Sequence, residues 1–312
     1  MNVQTKLCMS MTVIGLLSFA QVVTAQDSGF HFLATGDVPY SQLQEVTYRR
    51  LLKQSEGVDF AFLMHVGDIK AGSAPCSDDA FEKIRDLFRA YPKPVVYTPG
   101  DNEWTDCHSV GADPIERLNK LRELFFQDPK TLRLGKLKAV QQSRDPKFAT
   151  YVENYRFSKA GVLFVVAHIV GSGNNYRPNH PPSMKEFRSR NAANLAFLKE
   201  SFAEAIAKDV PGVAMVIHAN PDFEQGSKEG FKDFLAVTRE FLAKYRKPVV
   251  CIHGDSHFYR IDKPFKDESG RTFLHFTRME VFGSPNVAGV VVTVDPSDPQ
   301  VFSYRPYYLK EK

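Results

Sequence analysis

Phe30-His31-Phe32-Leu33-Ala34-Thr35-Gly36-Asp37 is an apolar run that stops at a glycine and an aspartate. The same pattern returns twice. Phe60 to Val66 ends at Gly67-Asp68, and Pro94 to Pro99 ends at Gly100-Asp101. Short runs rich in aromatic and β-branched residues, closed by turn residues, read as strands. Between them, Gln42 to Gln54 carries Leu51 and Leu52 as apolar anchors. Asp78 to Ala90 places Phe81, Ile84, Leu87 and Phe88 at helical spacing. Strands alternating with helices at this spacing mean βαβ units and a parallel sheet. The fold class is therefore α/β.

The second half extends the pattern. Val162 to Val170 and Val213 to Ile217 are continuous apolar runs, as expected of strands covered on both faces. Pro248 to Ile252 reads as another buried strand. Helices are expected at Asn191 to Lys208 and at Phe231 to Tyr245. In the tail, Arg271 to Val281, Val287 to Val294 and Val301 to Tyr304 have turn-rich separators and no helix between them, which predicts an antiparallel meander. Asp128 to Tyr151 is polar and irregular and reads as a surface excursion.

The chain has 312 residues, 43% hydrophobic and 24% charged, close to average globular usage. That excludes a disordered chain, a collagen and a coiled coil. Lys+Arg 40 against Asp+Glu 36 leaves a formal charge of +4, and there is no concentrated basic patch of a nucleic-acid binder. Lys6 is the only charge before Asp27. An apolar-leaning run from Leu7 to Ala20 then leads to Val23-Thr24-Ala25, which resembles a signal-peptidase site. We read residues 1–25 as a signal peptide and 26–312 as one domain, secreted or periplasmic; the alternative is an uncleaved membrane anchor, against which Ser10, Thr12, Ser18 and Gln21 dilute the run. No other run is long and apolar enough to cross a bilayer. Export removes Cys8 with the signal and favours disulfides. Cys251 lies in a buried strand. Cys76 and Cys107 each follow a strand-end motif and are the disulfide candidates; the alternative leaves all three thiols free.

In open α/β sheets, ligands bind outside the carboxyl ends of the strands. Asp37, Asp68, Asp101, His218 and the cluster His253-Gly254-Asp255-Ser256-His257 all fall there. A lone strand-end aspartate is often only a helix cap, and a lone histidine is more often structural, as expected for His31, His65 and His168. The ordered series is harder to produce by capping. Carboxylates and imidazoles converging on one edge suit divalent cations. Two ions bridged by one carboxylate form a phosphoester-cleaving arrangement. No Gly-x-Ser-x-Gly elbow is present for a serine esterase.

These motifs resemble the calcineurin-like metallophosphoesterases, which include the purple acid phosphatases. Gly36-Asp37, Gly67-Asp68, Gly100-Asp101-Asn102-Glu103, His218 and Gly254-Asp255-Ser256-His257 stand in the family's order, from about Phe30 to Tyr304. The resemblance implies a four-layer α/β/β/α sandwich and hydrolysis of small-molecule phosphoesters at two divalent ions (Mn, Zn, Fe, Mg or Ca). One ion would be held by Asp37, Asp68 and His257. The other would be held by Asp68, Asp101, His218 and Asp255. Glu103 is expected to orient Asn102, whose amide could donate to a phosphoryl oxygen.

The chain departs from the family pattern at three places. Pro39 stands where the first motif has a histidine, with Tyr40 beside it as a possible ligand or substrate contact. In the third motif Asp101 stands in place of the family's asparagine, still an oxygen ligand, and Asn102 replaces the histidine credited with protonating the leaving group; Asp255 replaces the first histidine of the last motif. A carboxylate-rich site suits harder ions better than Zn²⁺. His108 and His253 are the candidates to replace the missing proton donor. Trp104 and His108 share a loop that either shapes the substrate entrance or, at least as readily, is a surface loop tied down by Cys107. Gly171-Ser172-Gly173-Asn174-Asn175 follows a strand and lacks a Lys-Ser/Thr ending, so it reads as a plain turn more readily than as a phosphate loop. The missing histidines also favour an alternative, a degenerate, non-catalytic binding protein on the same fold.

Overall fold

The computed structural model describes residues 29–310 and Met1, so the expected signal peptide lies outside the described residues. Among the described residues, twelve strands follow in chain order. They are β1 (Phe30–Thr35), β2 (Phe60–His65), β3 (Val95–Tyr97), β4 (Val140–Gln141), β5 (Tyr155–Lys159), β6 (Val162–Val166), β7 (Val213–Val216), β8 (Val249–His253), β9 (Arg260–Asp262), β10 (Phe276–Glu280), β11 (Gly289–Val294) and β12 (Phe302–Tyr307). The helices of two turns or more are α1 (Gln42–Glu56), α2 (Asp78–Ala90), α3 (Pro114–Leu121), α4 (Pro181–Ala207) and α5 (Lys232–Lys244).

The strands form two sheets, in the orders β12-β11-β1-β2-β3 and β4-β5-β6-β7-β8-β10-β9. Alternation along each strand sends side chains to opposite faces. Phe32, Phe62, Phe164, Val216 and Ile252 therefore meet between the sheets. Leu33, Leu63 and Val95 point outward under Leu51, Phe81 and Phe88 of α1 and α2. On the far side, Val165, Met215 and Cys251 pack against Phe197, Phe202 and Phe241 of α4 and α5. The result is the expected four-layer α/β/β/α sandwich. Ser41 and Ser77 cap α1 and α2 by accepting the amides of Gln44 and Ala80, each contributing on the order of 1 kcal/mol.

The tail corrects one expectation. It is not a single meander. β10 joins the second sheet, parallel to β8 and antiparallel to β9, while β11 and β12 close the first sheet against β1. The expected strand to Val170 stops at Val166, where the chain turns toward the Gly171 bend. α4 begins ten residues before the expected start. Pro181 and Pro182 open it rather than break it, since the first helical turn has no intrahelical partner for its amides.

Cys76 and Cys107 are bridged, with Cα atoms 5.8 Å apart, and Cys251 is a buried free thiol. The bridge spans 31 residues and ties the loop after β2 to the loop after β3. Replacing either cysteine with serine should cost roughly 3–4 kcal/mol of unfolding free energy in the chain-entropy model. Denaturant unfolding of Cys76→Ser without reductant measures this. A loss below about 1 kcal/mol would show that the bridge adds little.

A buried polar cluster links the second sheet to α3. The Glu153 carboxylate, fully buried, accepts from Arg122 at 2.6 Å and from His168 Nδ1 at 3.0 Å. Burial alone would raise the carboxyl, but Arg122 and His168 outweigh it and hold it at about 2. Burial lowers His168 to about 4. Both values lie below those of the unfolded chain. The unfolded state therefore binds protons first as pH falls, and stability is lost from about 6.5 downward for His168 and below about 4.5 for Glu153. Each contributes at most about 3.5 kcal/mol, at about 1.4 kcal/mol per unit. Unfolding followed from about pH 7 down to about pH 2.5 should show this loss, and Glu153→Gln should flatten the part below about 4.5.

Candidate metal centre

The carboxyl ends of β1, β2, β3, β7 and β8 bring their loops together. Asp37 and Asp68 sit at φ 53 and 57, Asp255 and His257 at φ 78 and 60. Four of the six expected ligands thus occupy the left-handed region, which Asp and His visit more readily than most residues and which collects at functional sites. The glycines permit the close approach. A Cβ on Gly254 would lie 2.1 Å from Oδ2 of Asp37, and one on Gly100 would lie 2.2 Å from Oδ1 of Asp68.

Two compact groups result, Asp37–Asp68–His257 and Asp68–Asp101–His218, each with ligand atoms within 4.8 Å of one another. Asp68 belongs to both. Asp255 belongs to neither. Its Oδ2 accepts the Asn220 amide at 2.9 Å, and its own amide donates to Asp37 Oδ1 at 2.9 Å. Its Oδ1 nonetheless faces Asp101 Oδ1 across one point, 2.5 and 2.6 Å from where a Gly171 Cβ would stand.

Both imidazoles are oriented by backbone carbonyls. His218 Nδ1 lies 2.7 Å from Val66 O, and His257 Nδ1 lies 2.8 Å from Ser284 O. A carbonyl only accepts, so each Nδ1 carries the proton and each Nε2 is turned toward the carboxylates. His218 Nε2 is 2.8 Å from Asp101 Oδ1 and 3.3 Å from Asp68 Oδ1. His257 Nε2 is 3.7 Å from Asp37 Oδ1.

The crowding of carboxylates shows in their acidity. Burial pushes Asp37 up to about 8, against the pull of His218. Burial also raises Asp68 well above the ordinary range, helped by Asp101, Glu103 and Asp37, with His218 opposing. For Asp101, burial raises the carboxyl, but the His218 hydrogen bond and charge outweigh it and leave it low. Burial disfavours a charged His218, yet Asp68 and Asp101 hold it well above its ordinary value. Burial thus favours the protonated forms of Asp37 and Asp68, while His218 keeps Asp101 charged.

Tyr40 reaches the first group. Its phenol donates to Asp68 Oδ2 at 2.7 Å and lies 3.2 Å from His257 Nε2. Asn102 Nδ2 donates to the same Asp68 oxygen at 2.6 Å and to Tyr40 Oη at 2.9 Å. Glu103 does not orient Asn102, contrary to expectation. Its Oε1 accepts from the amides of Gly100 and Asp68 and from Tyr97 Oη, at 2.7, 3.2 and 3.0 Å, so it holds the loops rather than the amide.

Trp104 is neither at an entrance nor on a surface loop. It is fully buried, 5.4 Å from the His168 ring and under the Arg190 guanidinium. His108 is exposed and tied to Thr105 O and Arg177. His253 is buried, hydrogen-bonded to Gly254 O, and kept neutral by burial at about 3.

Glu280 was missed. It is fully buried and accepts from the amides of Ser256 and Phe258, while pairing with Arg260 at 2.8 Å. It thereby shapes the Gly254–His257 loop. An acid between Met279 and Val281 in an apolar run was the signal that could have found it.

No family model matches the chain, and no curated protein matches it. Solved structures do. A dimetal phosphatase from Danio rerio superposes with a TM-score of 0.52 at 15% identity, over 91% of this chain and 100% of that one. GAP50, the anchor in the inner membrane complex of Plasmodium, superposes with a TM-score of 0.50 at 12% identity, over 91% of this chain and 90% of that one. With two packed sheets between helical layers and the strand-end loops gathered on one edge, the chain has the calcineurin-like metallophosphoesterase fold.

Proposed function

We propose that the chain is an exported, metal-dependent phosphoesterase acting on small-molecule phosphate esters. One observation carries the reading: Asp68 is shared between two compact groups of carboxylate and imidazole ligands. The donors fit a pair of divalent cations. Oδ2 of Asp37 is buried with no hydrogen-bond partner among the described residues, so its desolvation is repaid only by a proton or a cation. Asp37, Asp68 and His257 would hold one ion, and Asp68, Asp101 and His218 the other, with Asp255 beside it. Bound there, two such ions would neutralise phosphoryl oxygens and bring the pKa of a water to about 7.

The chain's own groups do the rest. Val66 and Ser284 keep Nε2 of both imidazoles aimed inward. Glu103 and Tyr97 fix the Gly100 and Asp68 backbones. The Asn102 amide and the Tyr40 phenol stand over the bridging carboxylate, where they would meet the phosphoryl group. The Cys76–Cys107 bridge supports an oxidising compartment and hence export.

A second reading is a binding protein without catalysis. It is favoured by the way Asn102 and Tyr40 already satisfy Asp68 Oδ2 without an ion, and by the anchoring role in the description of GAP50. Elemental analysis of the purified chain separates the two. The panel that follows is monoesters, diesters and nucleotides, assayed after returning each divalent metal to metal-free protein. Turnover that depends on added metal supports the enzyme. No bound metal, and no thermal stabilisation by Mn²⁺, Zn²⁺ or Ca²⁺, sinks it.

A further inference from the structure

The Gly171–Asn175 turn, which reads as a plain bend in the sequence, leans over the second metal group. Ser172 Oγ lies 2.8 Å from Asp101 Oδ2 and 2.7 Å from Asp106 Oδ1. Asp101 Oδ1, the other oxygen of the same carboxylate, faces His218. The hydroxyl has one proton to share between these two carboxylates, and when it is given to Asp101 Oδ2 it holds the Asp101 carboxylate with Oδ1 turned to His218. The turn is costly to keep. Ser172, Gly173, Asn174 and Asn175 all have positive φ, at 48, 65, 59 and 59. Only one of the four is glycine, and each of the others costs on the order of 1 kcal/mol there.

The surroundings hold it in place. Arg190, fully buried, donates through Nη1 to Asn174 Oδ1 at 2.6 Å and through Nη2 to Asn174 O at 3.0 Å. Asn174 Nδ2 donates to Gly230 O at 2.9 Å, and Asn175 Nδ2 to Glu186 Oε2 at 2.8 Å. A Cβ on Gly230 would lie 2.0 Å from Gly173 O, so the turn is backed by a residue that must be glycine. Strain kept this firmly, with a hydroxyl aimed at one candidate ligand, is what a functional constraint produces.

We propose that Ser172 is a positioning residue for the second metal group, fixing Asp101 for the cation, and that the Arg190-pinned turn exists to deliver it. The inference rests on the reading of Asp68, Asp101 and His218 as metal ligands. The probe is Mn²⁺, titrated calorimetrically into the metal-free full chain, with two binding events expected for the wild type. Asp101→Asn and His257→Ala assign the events to the two groups. Ser172→Gly should weaken the Asp101 event 10–100-fold, the usual range for removing a partner of a ligand, and leave the His257 event unchanged.

Glycine also relieves the backbone at φ 48, so metal-free Ser172→Gly should melt at or above the wild-type temperature. A merely structural serine would instead lower both stability and affinity. Ser172→Asn tolerates the left-handed backbone and restores a donor, so it should recover most of the lost affinity. Wild-type affinity for both ions in Ser172→Gly would overturn the proposal while leaving the metal site intact. A wild-type chain that binds no Mn²⁺ would overturn both.

Discussion

Asp68→Asn should remove both metal-binding events at once, whereas Asp101→Asn or His257→Ala should remove one. The asymmetry follows from position, since Asp68 alone stands in both ligand groups. Unit charges 4 Å apart interact by about 4 kcal/mol at an effective dielectric constant near 20. Losing the shared charge should therefore weaken each ion by at least roughly 10³-fold, at about 1.4 kcal/mol per decade. The variant should still fold. Burial, helped by the neighbouring carboxylates and opposed by His218, already makes Asp68 a much weaker acid than usual, so the metal-free protein gains little from a charge there. An amide keeps one acceptor for the Asn102 backbone N–H, and the Tyr40 hydroxyl can turn to accept from its NH2, so the cost is one hydrogen bond, that of the Asn102 side chain. Metal-free Asp68→Asn should melt near the wild type, show no gain with Mn²⁺ and lose metal-dependent turnover. A variant that still gains stability with Mn²⁺ as the wild type does would refute a bridging role.

The parts of this molecule that could be read from its sequence are those fixed locally. Each Gly-Asp strand end needs a particular backbone turn and a particular donor within two residues, so Asp37, Asp68 and Asp101 announce themselves. α2 was legible residue by residue because its cap, acidic first turn and apolar stripe all agree. The tail was not. Phe276–Glu280 and Gly289–Val294 are equally strand-like, and nothing in either run says that one pairs β8 and the other β1. That choice is made by long-range packing between the two sheets.

The supporting shell was hidden for the same reason. Glu103 grips the backbones of Gly100 and Asp68, and the Ser172 turn meets Asp101 across 71 positions of sequence. Such partners have no spacing rule. They are found by asking where a buried carboxylate's hydrogen bonds go. Trp104 erred in the other direction. It lies beside the third metal loop in sequence, but its ring turns into the core under Arg190.

Asn102→His should raise turnover of alkyl phosphates far more than turnover of aryl phosphates. The wild-type amide donates to Asp68 Oδ2 and Tyr40 Oη and has no proton to give up to a departing alkoxide. General-acid help is typically worth about 10²–10⁴-fold, and only poor leaving groups need it. The wild type should therefore prefer aryl esters and phosphoanhydrides. The two histidines that could take over are badly placed for it. His253 is buried and neutral, with its Nδ1 on Gly254 O. His108 is held at the surface by Thr105 and Arg177. An imidazole at position 102 would stand over the bridging carboxylate, beside Gly72, whose missing Cβ leaves room for the Asn102 side chain. Paired rates for an alkyl and an aryl phosphate, in wild type and Asn102→His, measure the effect. An approximately equal change in both would show that leaving-group protonation does not limit the reaction. Strong wild-type activity on alkyl esters that survives loss of both His108 and His253 would show that the proton comes from another group, and Tyr40, already hydrogen-bonded to Asn102, would be the next to replace.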